Sequence, residues 1–191
     1  MQPGKPGEAA ETIAPEDFSS AVARAPHNEA DAEFVTMMIE HHAQAVAMSS
    51  LVPDRADSEQ VVAFARRIHV TQESEIRMMS TWLEEHDLPV PAAGQVTGGD
   101  GEGPRAPSAH EHTDMPGMLS AAEVSELEDS DGAAFDRRFL QGMIHHHEGA
   151  VVMCRQVLSE GSDERVTEIA TEVAVDQAAE IRRMKQLLDG L

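Results

Sequence analysis

Basic side chains, aromatic rings and thiols are all scarce in this chain, and each scarcity excludes something. Fourteen Lys and Arg stand against 35 Asp and Glu, a formal charge of −21. There is no basic footprint with which to neutralise a phosphate backbone, so nucleic acid is not an expected partner. Cys154 is the one cysteine. It excludes an internal disulfide, and its place beside Met153 favours a packed, inert thiol. One Trp, no Tyr and five Phe leave the core to aliphatic side chains and to 11 methionines, which fill irregular gaps and carry a soft sulfur. No apolar run approaches the ~20 residues of a membrane span. The start, Met1 to Ser20, has no apolar stretch of the signal-peptide kind. Either the chain is cytosolic or a leader is absent from this sequence. No P-loop, dinucleotide fingerprint or nucleophile–base–oxyanion pattern is present.

What the chain has is a duplication. Phe34 opens FVTMMIEHHAQAVAMS and Phe139 opens FLQGMIHHHEGAVVMC, an offset of 105 residues. The same offset carries Gln72, Glu75, Ile76 and Met79 onto Gln177, Glu180, Ile181 and Met184. At ~100° per residue, Asp31, Phe34, Met38, His41, Ala45, Met48 and Val52 share one narrow helical face, with His42 at its edge and Asp136 as the counterpart of Asp31 in the second copy. Val61, Phe64, Ile68, Gln72, Glu75, Ile76, Met79 and Leu83 share another, and the second copy repeats both patterns. Four amphipathic helices, two short turns and one long crossover predict an all-α, four-helix bundle made of two repeated helical hairpins.

The expected division is a disordered tether over residues 1–28 and one bundle domain over 29–191. Within the bundle, hairpin 1 covers about 29–87, the crossover about 88–130 and hairpin 2 about 131–191. The first helix starts near Asn28 or Asp31 and stops near Val52, ahead of Pro53. The second is capped by Asp57 or Ser58 and ends near His86. Pro89 to Pro107, rich in Pro, Gly and Ala, reads as a linker. Ser120 and Glu123 stand at capping-box spacing for a short helix from Ala121 to Glu128. The third long helix runs from about Asp131 to Ser159 and is closed by Gly161, with Ser162 or Asp163 capping the fourth.

Polar residues on the inner faces carry the functional question, because burying Asp, His, Gln or Glu without a partner is costly. One reading is a structural layer in which a His of the first helix donates to Glu75, with Gln72 completing the network, and likewise for Glu180 and Gln177. A second is metal binding. Adjacent histidines on a helix point ~100° apart, so one faces the core and the other a neighbouring helix or cleft. Met38, Met48, Met143 and Met153 lie one or two turns away, and thioether with imidazole favours Cu(I) or Ag(I) over hard cations. A third, di-iron redox catalysis, needs Glu-x-x-His. No such motif occurs, and His145 with Glu148 has the reverse order, which Glu40 and Ala43 do not repeat. His110, His112, Met115 and Met118 in the crossover form a second candidate cluster, with a solvated loop as the plainer reading. His27, His69 and His86 have no matching partner in the other copy and read as surface residues.

Phe34 to Met48 and Phe139 to Met153 resemble Phe-x-x-x-Met-Ile-x-His-His-x-x-Ala-Val-x-Met, the signature of the family known as domain of unknown function 305. Met115-Pro-Gly-Met118-Leu-Ser and Phe135-Asp136-x-x-Phe139-Leu match as well, so the resemblance spans about residue 28 to the end. It implies a ferritin-like four-helix bundle, commonly exported in bacteria, with some members linked to copper or silver. His145 and the long Gly-rich crossover depart from the pattern.

The reading is therefore an extracytoplasmic, non-enzymatic protein for soft-metal sequestration, secreted or at the cell surface. Its metal residues would be His41, His42, His146 and His147, with Met38, Met48, Met143 and Met153 as soft donors. Glu75 and Glu180 would be ligands or would orient the imidazoles. Copper is the expected ion and zinc the other option, with a homodimer left open. The alternative is a structural or interaction bundle whose His–Glu layer fixes the fold without metal.

Overall fold

The structure, a computed structural model, describes residues 26–95 and 115–191. The expected tether falls almost wholly outside these residues, as do His110 and His112. Among the described residues there are five α-helices: α1 (Glu29–Arg55), α2 (Glu59–Glu85), the short α3 (Ala121–Glu128), α4 (Gly132–Glu160) and α5 (Glu164–Asp189). The four long ones make the bundle. α1 packs along α2, α4 packs along α5, and the two hairpins join through α1 against α4. No described helix is long and apolar enough to cross a membrane.

Capping sets the boundaries. Asn28 and Asp31 exchange a reciprocal capping box at the start of α1, and Ser120 and Glu123 do the same for α3. Ser58 and Asp163 cap α2 and α5 through their side chains. α1 runs past Pro53, which was expected to end it. Proline removes one donor and crowds the preceding turn, but the last turn still closes through Ala56 N–H on Val52 O at 3.0 Å.

Asp31 and Asp136, out of place on apolar faces, each fasten the opposite hairpin. Asp31 Oδ2 accepts from Ser162 N–H and from Asp163 N–H, both at 3.0 Å, at the start of α5. Asp136 Oδ2 accepts from Ser58 N–H at 2.9 Å, at the start of α2. Each carboxylate thus satisfies donors that a helix start leaves open.

The core forms two apolar clusters. One holds Met38, Ile76, Met79, Trp82, Met153 and Val173. The other holds Met48, Phe64, Ile68, Phe139, Met143 and Met184. The crossover is more than a linker. Residues 92–94 form a 3₁₀ turn, Ser80 Oγ donates to Gly94 O at 3.2 Å, and Ala93 joins the first cluster. This order extends into the expected linker because Leu88, Val90 and Ala93 supply the apolar anchors.

The far end of the crossover, Met115 to Leu119, is a strap laid on the bundle instead of a solvated loop. Met115 and Leu119 are buried. The Gln44 amide grips Leu119 from both sides: Nε2 donates to Leu119 O and Oε1 accepts Leu119 N–H, each at 2.9 Å. Gly149, the repeat counterpart of Gln44, has no side chain, and a Cβ there would strike the backbone of Pro116 and Gly117. Gly117 has φ +79°, a conformation only glycine adopts without strain.

Candidate metal centre

All four motif imidazoles are fully buried. They divide as the helical phase requires. His41 of α1 and His146 of α4 face each other across the joint between hairpins, with ring centroids 3.7 Å apart and planes tilted by 36°. His42 and His147 turn outward to the flanking helices. His42 Nε2 donates to Glu75 Oε2 and His147 Nε2 donates to Glu180 Oε2, each at 2.8 Å. The outer His–Glu bond is thus the same in both hairpins.

These bonds settle the tautomers. A carboxylate only accepts, so Nε2 carries the proton in both outer histidines and Nδ1 keeps its lone pair. His41 Nε2 donates to the strap carbonyl Pro116 O at 3.0 Å, with the same consequence. Nδ1 of His41, His42 and His147, and both ring nitrogens of His146, make no hydrogen bond within the protein. Gln72 and Gln177 do not complete the network as expected. Both amide atoms of Gln72 and Oε1 of Gln177 are buried without protein partners.

Burial favours the neutral form of His41, His146 and His147. It holds His41 down from 6.5 to about 3, helped by the neighbouring His42, with the Pro116 hydrogen bond opposing. His146 is held well below the ordinary value by burial and then by His41. His147 is also lowered, because desolvation outweighs the support of Glu180. A ring carrying Nε2–H toward a carboxylate and a bare Nδ1 is the form in which histidine ligates metals.

The two halves differ in charge. Arg67 Nη2 lies 3.7 Å from Glu180 Oε1, whereas its repeat counterpart is Glu172. Asp176, on α5, is pushed upward by desolvation and by repulsion from Glu75, Glu180 and Glu172. The methionines are divided too. Met38 and Met153 lie in one apolar cluster, Met48 and Met143 in the other.

The donors suit a soft ion, since they are imidazoles with thioethers on the same helices. They are not gathered into a multidentate nitrogen–oxygen site. Among the described residues no group of three or more His, Cys, Asp or Glu is arranged to hold a metal ion. His41 and His146 are also too close as placed to share one. Two rings bound to a common ion at ~2.0–2.1 Å, with an angle at the ion between right and tetrahedral, have centroids roughly 4.5–5.3 Å apart. A ring must therefore turn before both could ligate.

Sequence reasoning missed Gln44, Gly149 and Pro116. Their partners are main-chain atoms, which leave no residue pattern to read.

Several known proteins are similar to this chain in sequence or fold. A DUF305 fragment from Deinococcus radiodurans is 31% identical over 87% of this chain and 100% of that one, with a TM-score of 0.73. A candidate secreted DUF305 protein from Streptomyces coelicolor is 34% identical over 84% and 93%, with a TM-score of 0.70. CopM in its Cu(II)-bound form is 28% identical over 84% and 96%, with a TM-score of 0.66. CopM has also been solved bound to Cu(I) and to silver. An uncharacterised protein of Acanthamoeba polyphaga mimivirus is 35% identical over 54 residues, which span only 36% of that protein. The profile of the family described as Domain of unknown function (DUF305) matches residues 31–188. The chain belongs to that family.

Proposed function

We propose that this protein binds a soft monovalent metal ion, Cu(I) or Ag(I), outside the cytoplasm and without turnover. The observation that carries the reading is the duplicated layer of buried imidazoles whose Nδ1 atoms have no protein partner. Glu75 and Glu180 would orient His42 and His147 from Nε2, leaving the bare nitrogen to the ion. His41 and His146 would supply the inner donors. Met38 and Met143, one turn before each pair, and Met48 and Met153 beyond it would supply sulfur. A soft monovalent ion suits this set because it accepts thioether sulfur and few donors. The Cu(I)- and Ag-bound forms of CopM support the choice of ion. The likeness to a candidate secreted protein supports the location.

One observation favours the structural alternative. The His–Glu pairs already close at 2.8 Å without a metal, so they can act as a register lock alone. Anaerobic Cu(I) titration against a competing chelator separates the two, with Zn(II) in parallel. Wild type should outcompete a His41→Ala/His146→Ala variant by at least tenfold for Cu(I). Equal affinities would remove the metal reading from these positions and leave the lock.

A further inference from the structure

His27 and His86, far apart in sequence and unmatched in the repeat, meet at the end of the bundle where α2 terminates. His27 lies just ahead of the α1 cap, and His86 is the C-cap of α2. Their ring centroids are 4.8 Å apart with planes at 81°. Both rings rest on Trp82, at 5.5 Å for His27 and 4.3 Å for His86. Trp82 is buried and its Nε1–H donates to Asp163 Oδ1 at 3.3 Å. The histidines are only half-buried, so solvent and ions reach them.

We propose that His27 and His86 form a second metal site, taking a divalent imidazole-seeking ion of the Cu(II), Ni(II) or Zn(II) class. It stands apart from the inner layer and does not depend on the function proposed above. Three observations support it. First, the 4.8 Å separation falls inside the roughly 4.5–5.3 Å expected of two rings sharing one ion at ~2.0–2.1 Å. The 3.7 Å pair in the core does not. Second, His86 Nδ1–H donates to Trp82 O at 2.7 Å. That bond places the lone pair on Nε2 and fixes the ring, as a carbonyl behind a metal-bound histidine does. Third, the field favours a cation. The last turn of α2 has no basic residue to offset its carbonyl dipoles, and Glu84, Glu85 and Asp87 flank His86. Water would complete the coordination.

Trp82 is the one tryptophan and there is no tyrosine, so intrinsic emission reports on this site. Cu(II) sulfate is titrated into the full chain in a non-coordinating buffer, and Trp82 fluorescence is followed. The wild type should show saturable quenching, with EPR showing two nitrogen ligands. His27→Phe keeps a ring on Trp82 and removes the nitrogens. His86→Gln removes the other donor. Each should raise the quenching midpoint at least tenfold and leave at most one nitrogen in the EPR signal. The His41→Ala/His146→Ala variant should quench like wild type. Unchanged midpoints in both single variants would overturn the site, and so would quenching lost only in the inner double variant. The substitutions are made singly and checked by far-UV circular dichroism, so a folding defect in one leaves the other as the test.

Discussion

His41 and His146 stack within 3.7 Å of each other at the joint between the two hairpins, and neither ring is charged there. A protonated imidazole at this place would face a second ring and no carboxylate. The outer histidines, by contrast, each lean on a glutamate. The interior therefore resists protons where the hairpins meet.

That resistance makes stability pH-dependent with a definite sign. The unfolded chain takes up a proton at His41 near 6.5, while the folded one holds off until about 3. Stability is thus complete above the ordinary value and drains away as pH falls from 6.5 toward 3, with His146 and His147 adding in the same direction. The slope is ~1.4 kcal/mol per pH unit for each histidine that stays neutral. Urea midpoints should fall clearly between about pH 7.5 and about pH 5, and His41→Gln should flatten the trend. Midpoints that hold steady across that window would contradict the buried neutral state.

Gly149→Ala should dislodge the strap. Its Cβ would strike main-chain atoms of Pro116 and Gly117, which cannot swing aside as a side chain can. A cost of about 1–3 kcal/mol is expected from the overpacking. Hydrogen exchange should quicken at Leu119, whose N–H is held by Gln44. Gln44→Ala should release the same amide without crowding, so concordant exchange in the two variants identifies the strap.

Asp31→Ala should cost more than Asp136→Ala. Asp31 accepts main-chain donors from Asn28, Ser162 and Asp163, whereas Asp136 accepts one, from Ser58. Losses of about 2–4 and about 1–2 kcal/mol follow from the donors stranded in each case. Chemical denaturation orders the two variants, and the reverse order would refute the assignment.

Cys154 should be inert. Burial, and then the charge of Glu75, push its thiol up to about 12, so almost no thiolate exists to react. A thiol reagent at about pH 8 should leave the native chain unmodified over a period in which the urea-unfolded chain reacts completely.

Much of this was legible in the residues because helical phase is a strong signal. Ser58 and Asp163 open helices and Gly161 closes one where the pattern places them, and α3 spans its expected Ala121–Glu128. The division of each His pair into an inner and an outer ring follows from the same phase. Pro53 misled because a last turn tolerates a missing donor that a mid-helix turn does not. Asp31 and Asp136 stood out as misplaced, but their use did not show, since their partners are amide groups at the far ends of other helices. The strap and the His27–Trp82–His86 corner were hidden for a related reason. Contacts between segments remote in sequence carry no periodicity.

The paired aspartate clasps also dictate an order of assembly. Ser58 waits for a carboxylate 78 residues downstream, and Asp31 waits for Ser162, 131 residues away. The start of α2 cannot be finished while hairpin 1 is the only half released from the ribosome. Emerging alone, hairpin 1 would expose its apolar face with its second helix start unpaired, and would mature only when the last quarter of the polypeptide arrives.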